Sequence, residues 1–221
     1  MGENKEQKSQ INPVLDGIDW SISHFAGAKA RNAVFEGKTL EELSTYSEKD
    51  LAIWIKGAME RLDALVDRGT RIGLMEYCGG MCADVHRRDI QEAKERRMKY
   101  RNLDEFLEAE HFAREGDIVY QSYNPRASGV RCFCLGKNLP AEDKMSPTYC
   151  QCSKGFVKQW WKEILGRPVR VELVHSAISG AQDCKFAIYL NEKVPEYPFK
   201  CKVCGTCFKT SKELKEHIAF S

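Results

Sequence analysis

Two stretches near the C-terminal end, VRVELVH (residues 169–175) and CKFAIYL (184–190), carry their apolar residues at every second position. That is the period of a half-buried β-strand, and it constrains this chain more than any other feature. Val169, Val171, Leu173 and His175 share one face of the first strand, and Cys184, Phe186, Ile188 and Leu190 share one face of the second. An antiparallel register that matches Leu173 with Phe186 also matches Val171 with Ile188 and Val169 with Leu190. It sets His175 opposite Cys184 at the loop end. A sheet with one apolar face needs a cover, and the preceding segment SKGFVKQWWKEILG supplies one. Phe156, Val157, Trp160, Trp161, Ile164 and Leu165 form a helical stripe that Gly166 closes, with Pro168 just beyond.

Upstream, DIVYQSY and VRCFCL read as strands flanking the turn segment NPRASG. The order is then β-β-α-β-β, an antiparallel sheet with a packed helix, and the fold class is α+β. Residues 1–115 read as mainly helical and 116–192 as the α+β domain. NEKVPEYP is a linker, and 199–221 form a small zinc-finger-like module. Among the N-terminal helices, the run from Ser47 to Gly69 repeats Leu51, Trp54, Ile55, Ala58, Leu62, Leu65 and Val66 with helical spacing. Ser47 is placed to cap its start and Gly69 its end. Two further helices are expected after Cys82 and from about Leu103 to Arg114.

Ten cysteines carry most of the chemical information. They occur as close pairs, Cys78/Cys82, Cys132/Cys134, Cys150/Cys152 and Cys201/Cys204, with Cys184 and Cys207 single. No stretch reaches the roughly 20 apolar residues of a membrane span, and the polar start MGENKEQKSQINP lacks the apolar middle of a signal peptide. A cytoplasmic location follows as the expectation, and with it metal or thiol chemistry rather than a disulfide framework. In YCGGMCADVH, Gly79 and Gly80 disfavour helix, so a helix beginning near Met81 or Cys82 would put Cys82 in its first turn. The helix dipole favours a thiolate there. His86 reads as solvent-facing. In YCQCSKG the two thiols would point about 200° apart on a continuous helix. They converge only if the helix starts afterwards, with Ser153 as its cap.

The terminal FKCKVCGTCFKTSKELKEHIAFS has the spacing of a Cys2His2 finger without its last histidine. Cys201, Cys204 and His217 are its ligands; Cys207, the carboxylate of Ser221 or water stand as candidates for the fourth. The base-reading positions would be Thr210, Glu213 and Glu216, and two acids there repel phosphate. With 34 Lys and Arg against 32 Asp and Glu, the chain has no basic excess either, which argues against a nucleic-acid partner.

The middle of the chain, YCQCSKGFVKQWWKEILGRPVRVELVHSAISGAQDCKFAI, resembles the small-molecule-binding domain of the bacteriochlorophyll vinyl-reductase type. The matching positions are Cys150 or Cys152, Leu165-Gly166, Val169, Val171, Glu172, Gly180, Cys184 and Phe186. Cysteine-rich proteins related to amino-thiazoline-carboxylate hydrolases are similar too, some with an upstream CG-x-x-C segment like Cys78 to Cys82. The resemblance spans roughly residues 75–190 and implies a sheet-and-helix pocket for a small ligand, with cysteines that in relatives hold a metal. Ser176 stands where that pattern often has a further cysteine, with His175 beside it.

The expectation is a metal- and small-molecule-binding protein. Its multi-cysteine site is Cys78, Cys82, Cys150 and Cys152, with Cys132, Cys134 and Cys184 in reserve. The cofactors would be zinc in the finger and a second metal or an iron–sulfur cluster at the thiols. The alternatives left open are a thiol- or metal-dependent enzyme, acting as hydrolase or reductase, and a nucleic-acid-binding finger protein. An unidentified small ligand is expected, with room for a protein partner or a homodimer.

Overall fold

A computed structural model describes residues 13–191, the backbone of 199–200 and 207–208, and residues 213 and 216. Helices come first: α1 (Pro13–Phe25), α2 (Gly27–Phe35), α3 (Leu40–Ser44), α4 (Glu48–Leu65), α5 (Arg68–Val85), α6 (Arg87–Met98) and α7 (Leu103–Ala109). The strands β1 (Ala113–Glu115) and β2 (Ile118–Tyr123) follow, then α8 (Gln151–Leu165), β3 (Arg170–His175) and β4 (Cys184–Tyr189). The sheet is antiparallel throughout, in the order β1-β2-β4-β3. The fold is α+β, and β-β-α-β-β is the order of its second half.

The first hairpin is not the expected one. VRCFCL is loop and 3₁₀ turn, and β2 instead pairs back onto β1 across Gly116, whose φ is +56°. The expected helix from Leu103 stops at Ala109, and His111 takes a left-handed φ of 59°, which no helix continues. Leu173↔Phe186 and Val171↔Ile188 pair as expected. His175 instead sits opposite Lys185, because the register slips between Leu173 and His175. One extra residue in a strand resets every partner beyond it.

Ser47 caps α4 by accepting a hydrogen bond from the Asp50 amide. Gly69 does not end that helix: α4 stops at Leu65, and Gly69 lies in the first turn of α5 behind the Asp67 cap. Two cores result. One gathers Ile18, Phe35, Ile55, Met59, Leu62, Leu74 and Met75 from the helices, together with Cys132, Met145, Tyr149 and Ile178 from the later loops. The other lies between α8 and the sheet, where Val157, Trp161 and Ile164 meet Val119, Val171, Phe186 and Ile188.

α8 belongs to both cores, and its other face lies on α5. Gly79 and Gly155 meet at that crossing. A Cβ on Gly79 would stand 1.9 Å from the Cys152 carbonyl oxygen, and one on Gly155 would stand 2.1 Å from that of Glu76. Only glycine admits backbones this close. The same contact explains why α5 runs unbroken through Gly79-Gly80, where the sequence predicts a helix start. Tertiary packing outweighs a propensity cost of about 1 kcal/mol per glycine.

Candidate thiol site

The α5–α8 crossing fixes where the cysteines go. Cys78 lies on α5 one residue before Gly79, and Cys152 lies in the first turn of α8. Both are buried, and the Cys152 thiol donates to Cys78 Sγ at 3.8 Å. Cys78 Sγ in turn contacts the Val14 carbonyl oxygen at 3.8 Å. Cys82 follows one turn along α5, and Cys134 arrives from the loop after β2.

Charge on any of these thiols would be felt by the others. The hydrogen bond to Cys78 and complete burial raise the Cys152 pKa, and the neighbouring Cys134 and Cys82 raise it further. Burial pushes Cys82 up to about 11, with Cys134 and Cys78 adding to the shift. The expected low-pKa thiolate at Cys82 is therefore overturned: the residue lies in the last turn of α5, where the negative end of the helix dipole opposes a thiolate instead of favouring one. Cys134 is raised by its hydrogen bond with Cys132 and by burial, partly offset by the Ser153 hydroxyl. The Cys132 thiol accepts from the Cys134 amide at 3.4 Å.

Cys150 and Cys152 do not converge. The helix begins at Gln151 with Cys150 as an N-cap lacking a side-chain hydrogen bond, and Ser153 is inside it. Cys150 instead donates to Ser176 Oγ at 3.0 Å, and burial pushes its thiol up to about 12. The Ser176 hydroxyl continues to Ser179 Oγ at 3.1 Å, and Ser179 donates to the Met145 carbonyl. Cys184 accepts from the Ala177 amide at 3.4 Å. His175 pairs with Asp183 through Nε2 at 2.5 Å rather than with Cys184. His86 is exposed, as expected, and pairs with Asp89.

Two thiol groups therefore replace one: Cys78, Cys82 and Cys152 at the helix crossing, and Cys150 with Cys184 beside the β3–β4 loop, with Cys134 and its partner Cys132 neighbouring both. Among the described residues, no three His, Cys, Asp or Glu side chains stand together as a ready-made metal site. Cys201, Cys204 and His217 lie outside the described residues. The short strands Phe199–Lys200 and Cys207–Phe208 pair antiparallel on either side of 201–206.

The chain matches the model of a family of unknown function, DUF6144, over residues 21–195. It belongs to that family. The DUF6144 match takes in the helices, the sheet and every cysteine of the two thiol groups. Comparison with curated proteins and with solved structures gives no match. No helix among the described residues is long and apolar enough to cross a membrane.

Some residues around this DUF6144 site gave no sequence signal that singled them out. Lys154 is buried between α5 and α8, bonded to Glu76 at 2.6 Å and 3.7 Å from Glu172, while Lys158 reaches the other Glu76 oxygen at 3.1 Å. Burial raises the Glu76 pKa, but Lys158 and Lys154 outweigh it and hold the carboxyl below its ordinary value. Glycine inside an otherwise amphipathic helix was the available clue to the crossing, since Gly155 stands within α8 just before its apolar stripe.

Proposed function

We propose that this DUF6144 protein is a metal- and small-molecule-binding protein. Its second metal, beyond the zinc of a Cys201, Cys204 and His217 finger, is held at the α5–α8 crossing by Cys78 and Cys152 with Cys82 and Cys134. The observation that carries this reading is the 3.8 Å between Cys152 Sγ and Cys78 Sγ. Two sulfurs on one ion with metal–sulfur bonds of about 2.3 Å are about 3.8 Å apart across a tetrahedron. Cys134 replaces the expected Cys150, whose thiol is already bonded to Ser176.

The chemistry of the donor set supports the same reading. Clustered thiols bind a soft cation in exchange for their protons. A cleft of about 230 Å³ lined by Val14, Leu51, Phe133, Cys134 and Leu135 provides an entry path from solvent to the group.

Elemental analysis with an absorption spectrum, on full-length protein purified without air, tests the reading. More than one equivalent of metal per chain is expected. Cys78→Ser and Cys152→Ser should each lose one equivalent and keep the rest, whereas Cys201→Ser should lose the finger's. A wild-type protein whose entire metal content disappears with Cys201→Ser would overturn the assignment.

A further inference from the structure

A second cleft, of about 430 Å³, opens between the start of α5, the loop before α8 and the end of β3. Its walls include Arg68, Ser146, Thr148, Gln151, His175 and Ser179. Its apolar surface comes from Ile72, Pro147 and Leu173. The size suits a small organic ligand, with an apolar body and a few convergent polar groups.

The charges in the cleft separate into spent and unspent. Asp63 accepts from the Thr148 hydroxyl at 2.6 Å and pairs with Arg71 Nε at 2.9 Å. Arg71 also donates to the Asp63 and Val66 carbonyls. His175 is tied to Asp183. Arg68 alone among these has no partner among the described residues, and it is exposed. Arg68 stands at the first position of α5, beside the Asp67 carboxylate that caps the helix. The remaining polar walls hold spare capacity: the Ser146 hydroxyl accepts from the Thr148 amide, leaving its proton free to donate, and Gln151 keeps its carbonyl oxygen. At the back, Ser176 and Ser179 are held by the hydrogen-bond chain that starts at Cys150.

We infer that this cleft binds a small organic monoanion, its carboxylate or phosphoryl oxygens on Arg68 and the Ser146 hydroxyl and its apolar body against Ile72, Pro147 and Leu173. A single unspent cation next to a neutralised Asp63 favours one negative charge over several. The inference names the ligand class for the small-molecule half of the function proposed above and is independent of the metal.

Saturation-transfer NMR on the full chain tests it. The probes are the monoanions butyrate, benzoate and methyl phenyl phosphate, each paired with its neutral twin butyramide, benzamide or anisole. At least one anion should bind with its twin about tenfold weaker, the scale of a charge-assisted hydrogen bond. Arg68→Gln should remove that preference, while Arg68→Lys should keep most of it. Which anion binds distinguishes a carboxylate from a phosphate source. Twins binding as well as anions, or an anion preference that survives Arg68→Gln, would overturn the anion assignment and leave small-molecule binding standing. No binding by any probe would overturn both, and the metal content of Arg68→Gln judges the thiol site separately.

Discussion

The two faces of α8 are held by opposite means. Toward the sheet, α8 presents volume: Trp161 is fully buried among Val119, Phe186 and Ile188, with its indole N–H on Gln121 Oε1 at 2.7 Å. Toward α5 it presents almost nothing, since Gly155 lets the two backbones touch and only thiols and a buried ion pair flank the contact. The sheet side is thus a hydrophobic core of the usual kind. The α5 side is a close backbone contact that brings Cys78 and Cys152, distant in sequence, to 3.8 Å. The first face stabilises the domain, and the second positions its thiols.

Mutations should separate the two. Trp161→Ala empties the sheet face and orphans Gln121, and should cost about 3–5 kcal/mol in urea unfolding. The metal content of whatever remains folded should be unchanged. Gly155→Ala drives a methyl group into the Glu76 carbonyl, where backbone on both sides cannot give way. It should cost about 3 kcal/mol and, unlike the tryptophan change, should also lose the metal proposed at the thiols as α5 and α8 separate. If both variants lose metal in proportion to stability, the division between the faces is wrong.

The smallest effect concerns the rim of the crossing. Glu76, on α5, is held ionised by Lys158 and Lys154 from α8, with its pKa below the ordinary 4.5. A carboxyl depressed in the folded state contributes stability that is fully present above pH 4.5 and is lost as pH falls through the folded pKa. Glu76→Gln should therefore lower stability at neutral pH by about 2 kcal/mol and flatten the acid limb of the stability–pH curve. A wild-type curve already flat between neutrality and pH 3 would remove Glu76 from the account.

Much of the scaffold was legible in the residues, and for a physical reason. The Ser47 cap, the α4 stripe, the α8 stripe and the Leu173–Phe186 register all depend on periodicities that recur within a few residues. VRCFCL was misread as strand because alternation on four or five residues also arises in a loop whose cysteines turn inward for other reasons. The break expected at Gly79-Gly80 failed for a complementary reason: local propensity contains no term for the helix that packs against it.

The candidate site divides in the same way. Sequence alone determined that six of the seven cysteines of residues 13–191 fall in short spacings, that an α+β body carries them, and that the last twenty or so residues have finger spacing. Only the tertiary structure decided the grouping. Cys150 and Cys152 are neighbours in the chain, yet the helix phase sends one to Ser176 and the other to Cys78. Cys134 comes beside Cys82 and Cys152 from a loop, and Arg68 is left unspent because Asp63 is already taken by Arg71 and Thr148. Partners of this kind are chosen by distance through space, and a helix crossing set by two glycines fixes those distances.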